Sequence, residues 1–247
     1  MVLRSRLLLS RRVWRLGLGL VGLSGCKAES LGVELARGGP DQISGEDLQR
    51  DVWLLMGPVA ASRAPGSPGN AEAAGRFEER LQQMHTLPAF GQSYRRSLGQ
   101  GWLVCGQKDG RSDRGLLFFA EDGGAGVRGG ALPVASLISL AKAADILEPP
   151  SHTLLFCGAF GPGGLDAYAL QPAFPLAKTL QIAEVGPLGD SDVTGSPEAP
   201  LGGAPRQRYS TGPRPGDGGP EDRAEAVDFR RVSDQLREVW LAVGRAG

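Results

Sequence analysis

The chain has 247 residues, 41% of them hydrophobic, and its 27 basic side chains balance 27 acidic ones. That length holds one α/β domain with a sizeable core and excludes two full domains once an N-terminal segment is set aside. The charge balance excludes attraction to nucleic acid or to an acidic substrate as an organising feature, and the 38 Gly and 18 Pro predict long loops.

Taken in order, the chain opens with Arg4, Arg6, Arg11, Arg12 and Arg15 ahead of a short apolar run, Leu16 to Leu23. The run is too short to span a bilayer. With Leu23-Ser24-Gly25-Cys26 behind it, the start resembles a bacterial lipoprotein signal, residues 1–25, with Cys26 as the lipidated first residue of the mature protein. An Arg-rich start that happens to contain a Cys is the plain alternative. The lipid reading implies attachment to a membrane through acyl chains at Cys26. Lys27 carries no inner-membrane retention signal of the Asp type, so an outer-membrane or cell-surface place in the bacterial envelope is expected. Residues 26–42 read as a polar tether, and residues 43–247 as the domain.

Ser44 with Asp47 three residues later gives a capping-box-like helix start, followed by Leu48, Val52, Leu55 and Met56 at helical spacing. After the turn Ser62 to Gly69, Asn70 is expected to cap a second helix with Ala73, Ala74, Phe77, Leu81 and Met84 on one face. His85 in its last turn suits the helix dipole far better than it suits a metal. Gly101 to Gly106 and Gly115 to Ala120 read as strands, the second followed by Glu121-Asp122, an acidic pair of the kind that often just begins a solvated loop. Cys105 and Cys157 each lie in an apolar strand-like run. They can pair only if those strands are neighbours, and two buried free thiols is the reading preferred here.

Thr153 to Cys157 is apolar without alternation, as in a strand covered on both faces, and is expected near the centre of a sheet. The turn Gly158 to Gly164 follows, then a short amphipathic segment, Leu165 to Leu170. In open α/β sheets ligands sit beyond the carboxyl ends of the strands, so chemistry belongs at this turn. His152 stands at the other end of the strand and is assigned a structural or surface role. Leu180 to Gly186 is a further strand, the Pro/Gly/Ser-rich stretch 190–203 reads as an exposed loop, and a closing helix buries Val232, Leu236, Val239, Trp240 and Val243.

Several of these stretches carry a resemblance. Phe156, Gly164, Leu165 and Tyr168 keep the frame of the pattern F-x-x-F-x-x-E-E-x-G-L-x-G-S-x-x-Y of the zinc aminopeptidases of peptidase family M28, and Gly126 to Ala143 is similar to that family's G-A-x-D-N-A-S-G-V-A-A-L-L-E-L-A-R-A without a gap. Ser210 to Phe229 likewise keeps Thr211, Gly212, Pro213, Pro220, Asp222, Asp228 and Phe229 of a third motif. The resemblance implies a zinc-exopeptidase-like, three-layer fold, α/β with a mixed, mostly parallel central sheet and helices on both faces. It also implies where a metal site would be. Pro162 and Gly163 match the two glutamates that serve as general base and zinc ligand, Gly129 with Arg128 beside it matches the bridging aspartate, and Gly218 matches a ligand histidine. The carboxylates left as remnants are Glu121, Asp122, Glu184 and Asp217.

Without the base and most ligands, the resemblance implies a non-catalytic domain with no cofactor, in a binding or scaffold role at the envelope, its old cleft open to a peptide or protein partner and not to nucleic acid. The alternative is a zinc-dependent aminopeptidase-like hydrolase with ligands rebuilt from those four carboxylates.

Overall fold

A computed structural model describes residues 35, 37, 39–57, 63–124, 126–147, 149–189, 191–211 and 223–246. The proposed lipid site Cys26, and Asp217 and Gly218, lie outside them. Among the described residues no helix is long and apolar enough to cross a membrane.

Helix α1 (Gly45–Leu55) starts where Ser44 Oγ accepts the Asp47 N–H at 3.2 Å, and it buries Leu48, Val52 and Leu55. Helix α2 (Pro68–Gln83) starts three residues before the sequence suggests: Ser67 is the cap, its Oγ accepting the Asn70 N–H at 3.1 Å, and Pro68 takes the first helical position, where its missing N–H costs nothing. Asn70 is instead buried and donates from Nδ2 to the Arg63 carbonyl. Beyond α2, His85 is an exposed residue in the left-handed region (φ 52°), its ring beside Asp145 at 3.2 Å.

Among the described residues the sheet has eight strands: β1 (Leu87–Pro88), β2 (Arg95–Leu98), β3 (Gly101–Lys108), β4 (Gly115–Asp122), β5 (Thr153–Phe160), β6 (Thr179–Val185), β7 (Thr194–Leu201) and β8 (Ala204–Ser210). Their order is β1-β3-β5-β4-β6-β8-β7, with β2 also pairing to β3. The core β5-β4-β6-β8 is parallel, and β3 and β7 add antiparallel margins. As its unbroken apolar sequence requires, β5 is an interior strand buried at every position. It runs three residues further than the sequence suggests, through Gly158, Ala159 and Phe160, which leaves only Gly161 to Gly163 as the turn into α4 (Gly164–Leu170).

Helix α3 (Leu132–Asp145), entered through a π-turn at Val127–Ala131, is apolar on nearly all sides because it is buried between the sheet and α1 and α2. With α1, α2 and the closing helix α5 (Phe229–Ala246) it covers one face, where Phe118 stacks on Phe156 (5.3 Å) and on Trp240 (5.8 Å). The other face carries α4 and loops around Leu165, Tyr168 and Phe119. Helices thus flank a mixed sheet on both faces, very unequally.

Three sequence expectations are corrected. The stretch 190–203 is not an unpacked loop: it holds β7, which completes the sheet edge as a hairpin with β8. A strand exposed along most of its length lacks the alternation that would reveal it. The stretch 26–42 is not tether throughout, because Leu35 is fully buried, its carbonyl accepts from Trp240 Nε1 at 2.7 Å, and Arg237 donates to the carbonyls of Pro40 and Ile43. Cys105 and Cys157 are not free thiols. They are register partners on antiparallel β3 and β5, with Cα atoms 4.2 Å apart, and they form a disulfide.

Candidate functional site

The parallel strands β4, β5 and β6 end at one side of the sheet, and of the residues singled out in the sequence Glu121, Glu184 and Gly129 come together there. Side chains alternate along a strand, so Glu121 and Asp122, the last two residues of β4, must point to opposite faces. Glu121 emerges on the α4 face, so close to the start of that helix that a Cβ at Gly164 would lie 2.7 Å from Oε1. Glu184 on β6 shares this face. Together with Gly129, Pro133, Gly186, Pro187 and Arg208 the two glutamates line a narrow cleft. Its interior space is ≈20 Å³, room for about one water.

Asp122 goes the other way. It is almost fully buried against Arg63, whose Nε lies 3.0 Å from Oδ2 and 3.2 Å from Oδ1, and its Oδ1 also accepts the Gly124 N–H at 2.9 Å. Arg63 in turn donates to the Gly126 carbonyl, so the ion pair stitches the start of α2 to the loop after β4. These bonds occupy both carboxylate oxygens.

Glu184 is equally committed. Arg208, its register partner on β8, places Nη1 3.2 Å from Oε1, and Arg206, two residues earlier on the same face, meets Oε2 through both Nε (3.1 Å) and Nη2. The glutamate side chain is 6% exposed and the arginines 22% and 25%. One carboxylate therefore faces two guanidinium groups. The R-x-R spacing in Ala204 to Ser210 was the available sign: residues two apart on a strand share a face, and here that face meets Glu184.

The glycines are not equivalent. At Gly129, in the π-turn, a Cβ would touch nothing within 4 Å, so the position is open to a side chain. Gly163 has φ 75°, a left-handed conformation that disfavours any residue with a Cβ. Tyr168 on α4 offers no base either. Burial pushes its hydroxyl up to about 12, and its oxygen accepts the Phe174 N–H at 3.3 Å.

No protein-family model matches the sequence, and no curated protein matches it in sequence. Solved structures do match in shape. The chain is similar to Porphyromonas gingivalis glutaminyl cyclase (TM-score 0.63, 12% identity, 83% of this chain and 98% of that one) and to Bacteroides thetaiotaomicron glutaminyl cyclase bound to N-acetylhistamine (0.61, 11%, 81% and 97%). It is also similar to a leucine aminopeptidase precursor from Bacteroides thetaiotaomicron (0.59, 11%, 83% and 96%).

The fold is zinc-exopeptidase-like. Identities this low establish the architecture and nothing of the chemistry. A zinc centre can therefore be tested only against the residues present, and they do not fit one. Among the described residues no three His, Cys, Asp or Glu side chains are grouped to hold a metal. Of the four carboxylates expected as remnants, Glu121 and Glu184 share the cleft, Asp122 serves the opposite face, and Asp217 lies outside the described residues. A divalent cation at Glu184 would have to compete with two guanidinium groups already in contact with both of its oxygens.

Proposed function

We propose that this chain is a non-catalytic domain of zinc-exopeptidase fold, carried on a bacterial lipoprotein signal and held at the cell envelope through lipid at Cys26, in a binding or scaffold role. The observation that carries the reading is the occupation of Glu184 by Arg206 and Arg208. A carboxylate held in this way cannot also neutralise a metal ion, and hydrolysis by this architecture would need a metal-activated water and a base to take its proton. Gly129 and Gly163 supply neither. The buried Cys105–Cys157 disulfide supports the export half of the reading, since such bonds persist outside the reducing cytosol.

The rival reading, a metal-dependent aminopeptidase-like hydrolase with rebuilt ligands, draws on the sharing of one cleft by Glu121 and Glu184. It would require Glu184 to leave both arginines.

Metal content of the dialysed full-length protein, measured beside release of N-terminal residues from peptides and cyclisation of N-terminal glutamine, separates the two. The expected result is zinc far below one per chain and no chelator-sensitive turnover. About one or more zinc per chain together with chelator-sensitive turnover would overturn the proposal.

A further inference from the structure

We infer that Arg206 and Arg208 act together as a built-in counter-cation at the strand ends, carrying the charge of a divalent ion and holding Glu184 where a metal would otherwise be needed. The inference rests on the non-catalytic reading above and goes further: it assigns the pair a role in fixing the β7–β8 hairpin to the parallel core. Each oxygen of Glu184 receives a separate guanidinium, Oε1 from Arg208 and Oε2 from Arg206. Two unit charges in contact with one carboxylate match the valence of a divalent cation. They differ from it in being covalently part of β8, so no dissociation can release them. The geometry follows from strand pairing alone. Arg208 lies opposite Glu184 in the parallel β6–β8 ladder, Arg206 lies opposite Ile182, and the two-residue repeat brings both to the cleft side.

This arrangement makes a prediction that ordinary packing does not. Removing the cations while keeping the carboxylate leaves a buried negative charge beside Glu121, a state that an added divalent ion can relieve. Removing the carboxylate as well abolishes both the defect and its relief.

The test is urea unfolding of four full-length proteins with and without millimolar Mn²⁺: the natural chain, Glu184→Gln, Arg206→Gln/Arg208→Gln, and the triple variant. Glu184→Gln and the arginine double variant should each lower the midpoint by about 1 M, and the triple variant should lose clearly less than the sum of the two. Mn²⁺ should raise the midpoint of the arginine double variant and leave the other three unchanged. Additive losses in the triple variant, or no response of the double variant to Mn²⁺, would overturn the inference. If the double variant does not fold, Arg206→Gln alone replaces it under the same two criteria. Failure of the non-catalytic reading would show differently, as chelator-sensitive turnover by the natural chain.

Discussion

Arg63 and Asp122, 59 residues apart in sequence, meet in an almost fully buried ion pair with Nε 3.0 Å from Oδ2. Breaking such a pair on one side strands a charge in the interior. Arg63→Met or Asp122→Leu should therefore each cost about 3–5 kcal/mol in unfolding free energy, whereas Arg63→Met/Asp122→Leu should cost markedly less than the two together. Chemical denaturation of the three variants checks this, and additive losses would show that the pair is not coupled.

The disulfide closes a loop with a sequence separation of 52 residues. On the chain-entropy account such a closure contributes about 4 kcal/mol, so Cys105→Ala/Cys157→Ala should unfold at correspondingly lower denaturant. Thiol labelling of the denatured, unreduced protein should find neither cysteine reactive. Rapid labelling of both would contradict the bond.

Gly129 and Gly163, the glycines that the family resemblance matches to site carboxylates, should respond unequally to substitution. Gly129→Asp, at a position where a Cβ meets nothing, should leave stability within about 0.5 kcal/mol of the natural chain. Gly163→Glu, at φ 75°, should cost about 1–2 kcal/mol. Neither should confer zinc retention or peptide cleavage, because Glu184 remains between its arginines; measurable zinc retained by either would count against the proposed function.

Two carboxylates on α1 should give opposite pH signatures. A side-chain hydrogen bond from Lys142 holds Asp47 below the ordinary 3.8, so its contribution is present above 3.8 and is lost as pH falls through the folded value. Burial raises Asp51 above 3.8 despite Arg80 Nε at 2.9 Å, so the folded state binds its proton more readily and stability from this group falls as pH rises from 3.8 through the folded value. In urea midpoints followed from about pH 6 to pH 3, Asp47→Asn should blunt the acid-side loss and Asp51→Asn should deepen it. The same response from both variants would refute the assignment.

Replacing Cys26 by Ser tests the envelope half of the proposal. The variant should leave the membrane fraction or remain unprocessed, and unchanged processing and fractionation would exclude lipid attachment.

Most of the fold was legible in the sequence wherever burial is complete. Thr153 to Cys157 reads as a strand without polar alternation because both of its faces are covered, although its continuation through Phe160 reads as a turn, and the stripe Val232, Leu236, Val239, Trp240 and Val243 identifies α5 because only one of its faces is. Edges were less legible. Thr194 to Leu201 is mostly exposed and contains Pro197 and Pro200, so neither alternation nor composition marks it as a strand. The site was half legible for a related reason. The family resemblance nominates Glu121 and Glu184, but which carboxylate meets which arginine is decided by pairings across 22 to 59 residues that no local pattern encodes. Arg63 looked like a turn residue until Asp122 was placed beside it.

The edge strand β7 has a consequence for crowded surfaces. An open sheet margin invites a second molecule to add its own strand, and crowding raises that risk with every increase in local concentration. Pro197 and Pro200 have no N–H to donate in either direction, and Glu198 sets a charge between them. A visiting strand would find a broken ladder, so neighbouring copies could crowd side by side without zipping into ribbons.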